Sequence, residues 1–198
     1  MKKLFIGVHN LANCVTYLGI AAAVVGVCFA ANPKIAMLML IVSGICDLFD
    51  GRVARMFPRT DTEKAFGIQL DSFADTVSFV FFPAVFLLAQ TRTVWTVLLA
   101  VFYVYCGVTR LCWFDITTDG NTKYFSGVPV TYISLFLPLI YAASALFGFF
   151  VSPIIVGVLM LVMAVLFIVN VKVKKPGGVW YAIFAALAIA EFVILLLK

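Results

Sequence analysis

Charge is what this sequence has least of. Of its 198 residues only 12% are charged while 65% are hydrophobic, and the mean hydropathy is +1.16. A soluble domain is nearer half apolar and a quarter charged, so a soluble globular chain is excluded. So is a disordered one, which would need the reverse balance. Histidine is rarer still: His9 is the only one. That argues against a Ser-His-Asp machine and leaves His9 as an interfacial residue. The five cysteines, Cys14, Cys28, Cys46, Cys106 and Cys112, are odd in number, scattered and without a C-x-x-C pair. They form neither a disulfide framework nor a zinc site and read as small packing residues. Internal repeats and low-complexity tracts are absent. No basic patch with interleaved aromatics occurs, which excludes a nucleic-acid partner.

What is present is apolar sequence in long runs. The runs are apolar on all sides rather than alternating, so helices are expected and not the strands of a membrane barrel. They cover roughly 11–31, 34–55, 67–90, 93–114, 126–149, 152–171 and 178–197. Each is close to the ~20 residues that a spanning helix needs. The predicted fold class is all-α: a polytopic integral membrane helix bundle of about seven apolar segments, six to eight spans. It forms one transmembrane domain over residues 1–198. Met1–Asn10 reads as the lead-in to the first span, because no small-residue cleavage site followed by a soluble domain appears. Asn32-Pro33 and Ser152-Pro153 supply helix starts, and Pro176-Gly177-Gly178 marks the last turn. Pro83 and Pro138 lie inside spans and should kink them.

The basic residues set the orientation. With the N-terminus in the cytoplasm, the inner side holds Lys2, Lys3, Arg52, Arg55, Arg59, Lys64, Arg110, Lys123, Lys172, Lys174 and Lys175. The outer side holds Lys34, Arg92 and Lys198, so the balance is 11 against 3. The net charge of +5 suits anionic lipid headgroups at one face. The acidic residues also gather near the inner face, except Glu191, which is expected at a helix end. The polar chemistry is therefore expected on the cytoplasmic side.

Residues 46–55 read CDLFDGRVAR and residues 66–75 read FGIQLDSFAD. Asp47 and Asp50 are three apart, with Gly51 and Ala54 on the same side of a helix. Asp71 and Asp75 are four apart, with Gly67 one turn earlier. Those spacings put each pair of carboxylates on one helical face. A hairpin of 11 residues, Met56–Phe66, is expected to join the two antiparallel helices. All four carboxylates can then converge at one depth. Four ionised carboxylates in an apolar site repel one another, and each costs about 2.5–3.5 kcal/mol at a helix centre. Two divalent cations would balance them charge for charge. All-oxygen ligation favours Mg²⁺, Mn²⁺ or Ca²⁺ over zinc. Two such ions suit phosphoryl chemistry on a diphosphate. Gly51 and Gly67 allow close approach of a nucleotide or a partner backbone, and Arg52 and Arg55 offer guanidinium groups to phosphates. The competing explanation is a set of interfacial Asp and Arg residues that make ion pairs at helix ends.

These residues resemble the signature of the CDP-alcohol phosphatidyltransferase family, D-x-x-D-G-x-x-A-R, a spacer, then G-x-x-x-D-x-x-x-D. Its fixed positions fall on Asp47, Asp50, Gly51, Ala54, Arg55, Gly67, Asp71 and Asp75. Only the spacer, 11 residues here, is longer than usual. The resemblance implies transfer of a phosphatidyl group from a CDP-linked lipid to an alcohol, with release of CMP. It implies that Asp47, Asp50, Asp71 and Asp75 hold two divalent ions, Mg²⁺ or Mn²⁺. It implies Asp75 as general base, and Gly51, Ala54, Arg55 and Gly67 as contacts to the CDP moiety. Asn10 and Asn13 are carried over as weaker nucleotide contacts. A homodimer is the assembly it implies. Three stretches are similar to the phosphatidylserine synthase branch: FGIQLDSFADTVSF at 66–79, GVTRLCWFD at 107–115 and YFSGVPVT at 124–131. Departures from that branch are Trp113 for Arg, Asp115 for Asn and Thr131 for Pro. The branch implies CDP-diacylglycerol and L-serine as substrates in the lipid bilayer of the cell membrane. The resemblance covers roughly residues 9–131 and leaves the last two spans without a role.

Arg110 is the only cation on the fourth span. It is expected either to bind the serine carboxylate, to snorkel to headgroups, or to pair with Asp115 or Asp119. Direct displacement, with no covalent intermediate, predicts inversion at phosphorus. Three rivals stay open at this point. One is the same chemistry with another acceptor, such as glycerol phosphate or inositol phosphate. The second is a membrane prenyltransferase, whose acidic motifs usually sit on distant helices. The third is an ion-coupled transporter, whose charges would lie near the midplane.

Overall fold

The computed structural model of the protein describes residues 6–117, 124–174 and 178–198, with backbone alone at 124–126 and 172–174. Lys2, Lys3, Asp119, Lys123, Lys175, Pro176 and Gly177 lie outside the described residues.

Short polar signals between the apolar runs set the helix ends. Asn10 accepts the backbone N–H of Asn13 at 2.9 Å and starts α1, Leu11–Cys28. Asn32 caps α2, Pro33–Arg55, and Pro33 takes the first turn, where its missing N–H leaves no bond unmade. Thr60 and Glu63 form a reciprocal capping box that starts α3, Asp61–Asp75. The expected hairpin Met56–Phe66 is therefore corrected to a link of residues 56–60. The first turn of α3 is polar, so a search for apolar runs starts the helix too late.

Helix α3 passes through a π-helical stretch, Thr76–Phe81, into α4, Phe82–Gln90. Pro83 explains the irregularity. It has no N–H to give the carbonyl of Phe79, four residues back. The hydroxyl of Tyr103, fully buried, donates to that carbonyl at 2.8 Å instead. The remaining helices are α5 Val94–Thr117, α6 Ile133–Phe147, α7 Pro153–Ile168 and α8 Gly178–Leu197. A 3₁₀ turn, Val130–Tyr132, leads into α6. Strands β1, Tyr124–Ser126, and β2, Lys172–Lys174, pair antiparallel with Phe125 opposite Val173. This small ribbon ties the α5–α6 link to the α7–α8 link and is an addition to the all-helical expectation.

Five helical segments are long and apolar enough to cross a membrane: Leu11–Cys28, Asp61–Gln90, Val94–Thr117, Val130–Phe147 and Gly178–Leu197. Pro153–Ile168 is a shorter apolar helix. Helix α2 is long enough but carries Asp47, Asp50, Arg52 and Arg55 in its last turns. Large apolar side chains such as Trp95, Phe147, Ile154 and Leu197 point outward, as lipid contact demands. The protein is a multi-pass membrane helix bundle.

Small residues bring the helices together. Ser43 Oγ on α2 donates to the carbonyl of Gly19 on α1 at 2.6 Å. A Cβ on Gly44 would lie 2.3 Å from Ser134 Oγ on α6, so α2 and α6 approach closely only with glycine there. Behind these crossings Met37, Ile41, Phe79, Phe82, Phe86 and Met160 form a fully buried core. Helix α8 runs antiparallel to α2. Lys34 Nζ donates to the Leu196 carbonyl at one end, and the Arg52 guanidinium sits 4.7 Å over the Tyr181 ring at the other. Glu191 corrects its expected helix-end position. It is 2% exposed, with neither carboxyl oxygen hydrogen-bonded among the described residues.

Candidate active site

The antiparallel run of α2 and α3 brings Asp47 to the face that carries Asp71 and Asp75. One carboxylate oxygen from each lies within 4.8 Å of the others. Asp75 is 9% exposed and its Oδ1 has no hydrogen-bond partner among the described residues. Asp50, one turn after Asp47, falls outside this trio. Its Oδ2 accepts from Thr16 Oγ1 of α1 at 2.9 Å. Three of the four predicted carboxylates therefore meet directly, and the fourth is turned toward α1. The trio fits a hard divalent cation: it offers oxygen donors alone, and one of them is buried without a partner.

Two cavities lie along α2, and the carboxylate trio lines the first of them. One, of about 230 Å³, has Asp47, Asp71, Asp75 and Arg110 on its polar side and Tyr132, Tyr181 and Phe184 among its aromatic walls. The other, of about 250 Å³, lies between α1, the end of α2 and the start of α3, and is lined by Asn10, Ala54, Arg59 and Glu63. A narrow crevice beside Thr16, Asp47, Asp50 and Asp75 lies between α1, α2 and α3.

The predicted nucleotide contacts divide accordingly. Asn10 and Ala54 line the second cavity. Gly67 lies close by: a Cβ there would be 3.4 Å from Arg59 Nη1 and 3.9 Å from Asn13 Oδ1. Asn10 and Asn13 also hold the chain start, since Asn13 Nδ2 donates to the Val8 carbonyl at 2.8 Å. Gly51 and Arg55 are exposed on α2 and line neither cavity.

Arg110 does not snorkel. It is 6% exposed, 4.8 Å over the Phe114 ring, and its Nε has no hydrogen-bond partner among the described residues. Among the described residues the one ion pair is Lys64–Asp61, so no carboxylate holds Arg110 in a contact pair. The arginine lines the first cavity together with Asp47, Asp71 and Asp75.

Four participants escaped the reading of residues. Arg59 lines the second cavity, and nothing in its flanking sequence marks it. Tyr132 reaches the first cavity from the 3₁₀ turn before α6, and Tyr181 and Phe184 from α8, far along the chain. A tight glycine supports that wall. Gly127 has φ +78°, and a Cβ on it would lie 2.6 Å from the Phe167 carbonyl oxygen. Its N–H donates to Val171 O at 2.9 Å, which seats Pro129 and the 3₁₀ turn against the site.

A family profile described as CDP-alcohol phosphatidyltransferase matches residues 9–198. The chain belongs to the CDP-alcohol phosphatidyltransferase family. The match includes α7 and α8, which the motifs alone had left outside. Among curated relatives, a CDP-diacylglycerol–serine O-phosphatidyltransferase of Mycobacterium tuberculosis is 31% identical over 134 residues, 63% of this chain and 46% of that protein. One of the same name from Saccharomyces cerevisiae is 38% identical over 112 residues, 51% of this chain and 40% of the relative. Another from Methanocaldococcus jannaschii is 32% identical over 148 residues, 74% and 68% respectively. The chain spans about half the length of the first of these relatives.

Proposed function

We propose that the protein transfers the phosphatidyl group of CDP-diacylglycerol to the hydroxyl of L-serine, giving phosphatidylserine and CMP. The observation that carries this reading is the carboxylate trio of Asp47, Asp71 and Asp75 in one cavity with the buried Arg110, which forms no ion pair among the described residues. The family and the printed names of its relatives support the same chemistry. Asp47, Asp50, Asp71 and Asp75 would hold divalent cations, Mg²⁺ or Mn²⁺. Bound there, such ions would supply charge neutralisation and polarisation of a diphosphate.

The chain's own residues do the rest. Asn10, Asn13, Gly51, Ala54, Arg55 and Gly67 bind the CDP moiety, with Arg59 beside Gly67 as a further cation. Arg110 holds the serine carboxylate by a charge-assisted hydrogen bond. Asp75 accepts the proton of the serine hydroxyl at a carboxylate oxygen. The serine oxygen forms a new bond to the phosphatidyl phosphorus. The bond from that phosphorus to the bridging oxygen breaks, and CMP departs with that oxygen. The aromatic walls limit water, which would compete as acceptor. The site faces the cytoplasm in the cell membrane. The assembly implied by the resemblance is a homodimer, which light scattering of the detergent complex tests.

The deciding experiment is CMP release by purified protein with CDP-diacylglycerol, Mg²⁺ or Mn²⁺, and one alcohol at a time. Release with serine, abolished by chelation and restored by either ion, is the expected result. Release with glycerol phosphate or inositol phosphate instead overturns the serine assignment and keeps the reaction. No release with any alcohol overturns the reaction as well.

A further inference from the structure

Asp50 has a hydrogen-bond donor that the mechanism above does not use. Thr16 on α1 is 8% exposed, and so is Asp50. A threonine inside a helix can give its proton to the carbonyl four residues back. That contact, to the Ala12 carbonyl, is 3.4 Å here, whereas Thr16 Oγ1 lies 2.9 Å from Asp50 Oδ2. The hydroxyl has one proton, and the shorter contact takes it to the carboxylate. One turn along α1, the Gly19 carbonyl accepts from Ser43 Oγ of α2 at 2.6 Å, so a second hydrogen bond fixes the register of α1 on α2. Thr16, Asp47, Asp50 and Asp75 line one crevice. Asp75, whose buried Oδ1 has no hydrogen-bond partner among the described residues, thus shares that crevice with the Thr16–Asp50 pair. One O–H bond fills one acceptor site of the Asp50 carboxylate and leaves the others. Thr16 therefore fixes the rotation of this carboxylate without using it up.

We propose that Thr16 is a positioning residue of the metal site: by holding Asp50 Oδ2 it keeps the carboxylate turned so that its remaining acceptor sites serve a divalent cation. The inference rests on the reading of Asp50 as a metal-holding residue given above. A carboxylate that is already held needs no reordering when the ion enters, and loss of such a support costs about 10–100-fold in metal affinity.

The test is Mn²⁺ uptake by the purified full chain in detergent, read as loss of the free-ion EPR signal with no lipid or nucleotide present. Thr16→Val keeps the shape and removes the donor, and its Mn²⁺ dissociation constant rises about tenfold. Thr16→Ser keeps the donor and stays within about twofold of the parent. Thr16→Cys, a weak donor, falls between the two and carries the comparison if the valine variant does not fold. The Mn²⁺ concentration for half-maximal CMP release shifts by the same factors. A valine or cysteine variant with the parent's dissociation constant makes the bond a tie between α1 and α2 alone and overturns the proposal. Tighter Mn²⁺ binding by either variant overturns it as well, because the hydroxyl then holds Asp50 away from the ion. A parent protein that takes up no Mn²⁺, or whose uptake survives Asp47→Asn unchanged, overturns the earlier metal reading and this inference with it, a result distinct from any pattern among the Thr16 variants.

Discussion

Asp75 is asked to do two things at once. It shares the carboxylate trio, and it has a buried oxygen left over for a proton. Asp75→Asn preserves the shape and removes the base, so kcat for CMP release should fall by about 10²–10⁴, with the variant still monodisperse in detergent. On the proposed reading, Arg110→Ala acts on the acceptor. It should raise the serine KM about tenfold while the Mn²⁺ concentration for half-activation stays unchanged. An unchanged serine KM would remove Arg110 from the acceptor site. At this scale the sequence was readable where spacing alone decides geometry. The i, i+4 pair Asp71 and Asp75 shares a face in any helix. Asp50 was not readable, because its partner Thr16 sits on another helix, 34 positions away. Nor was the burial of Glu191, since hydropathy says nothing about which side of a spanning helix meets protein.

Among the elements, the α3–α4 rod depends on a hydroxyl borrowed from α5. Tyr103→Phe strips the bond from the Phe79 carbonyl and leaves it buried without a donor. The expected loss is about 1–3 kcal/mol, visible as a lower unfolding temperature in detergent. An unchanged temperature would mean that the carbonyl finds another donor. Gly127 is a second such point. Its positive φ and the backbone 2.6 Å from any added Cβ both forbid a side chain. Gly127→Ala should cost more than about 1 kcal/mol and also lower activity, because the same turn seats Pro129 and Tyr132. The helices themselves were legible from their apolar runs, most to within a few residues. The start of α3 was hidden behind a polar first turn, although Thr60-Asp61-Thr62-Glu63 spells its capping box. The β1–β2 ribbon joins segments nearly fifty residues apart, and three-residue strands carry no period to detect.

For the molecule as a whole, the charge asymmetry predicts which end meets the cytoplasm. In a cysteine-free background, Arg92→Cys should react with a membrane-impermeant maleimide in intact cells. Thr62→Cys should react only after the cells are opened. The opposite pattern would invert the orientation and move the site to the other face. The role of α8 belongs to this scale too. Tyr181 and Phe184 enter the site only because α8 packs back along α2, an arrangement no local motif encodes.

The rod from Asp61 to Gln90 has 30 residues, about 45 Å of helix, against a hydrocarbon core of about 30 Å. With Gln90 at one boundary of the hydrocarbon, about 20 residues of helix put Asp71 at the other, where hydrocarbon gives way to headgroups. A lipid donor and a lipid product can then keep their tails in the bilayer while the water-soluble partners come and go from one side. For such a protein the donor's concentration is two-dimensional. Diluting CDP-diacylglycerol with inert lipid, at constant bulk amount, should slow turnover, while diluting the whole suspension with buffer should not.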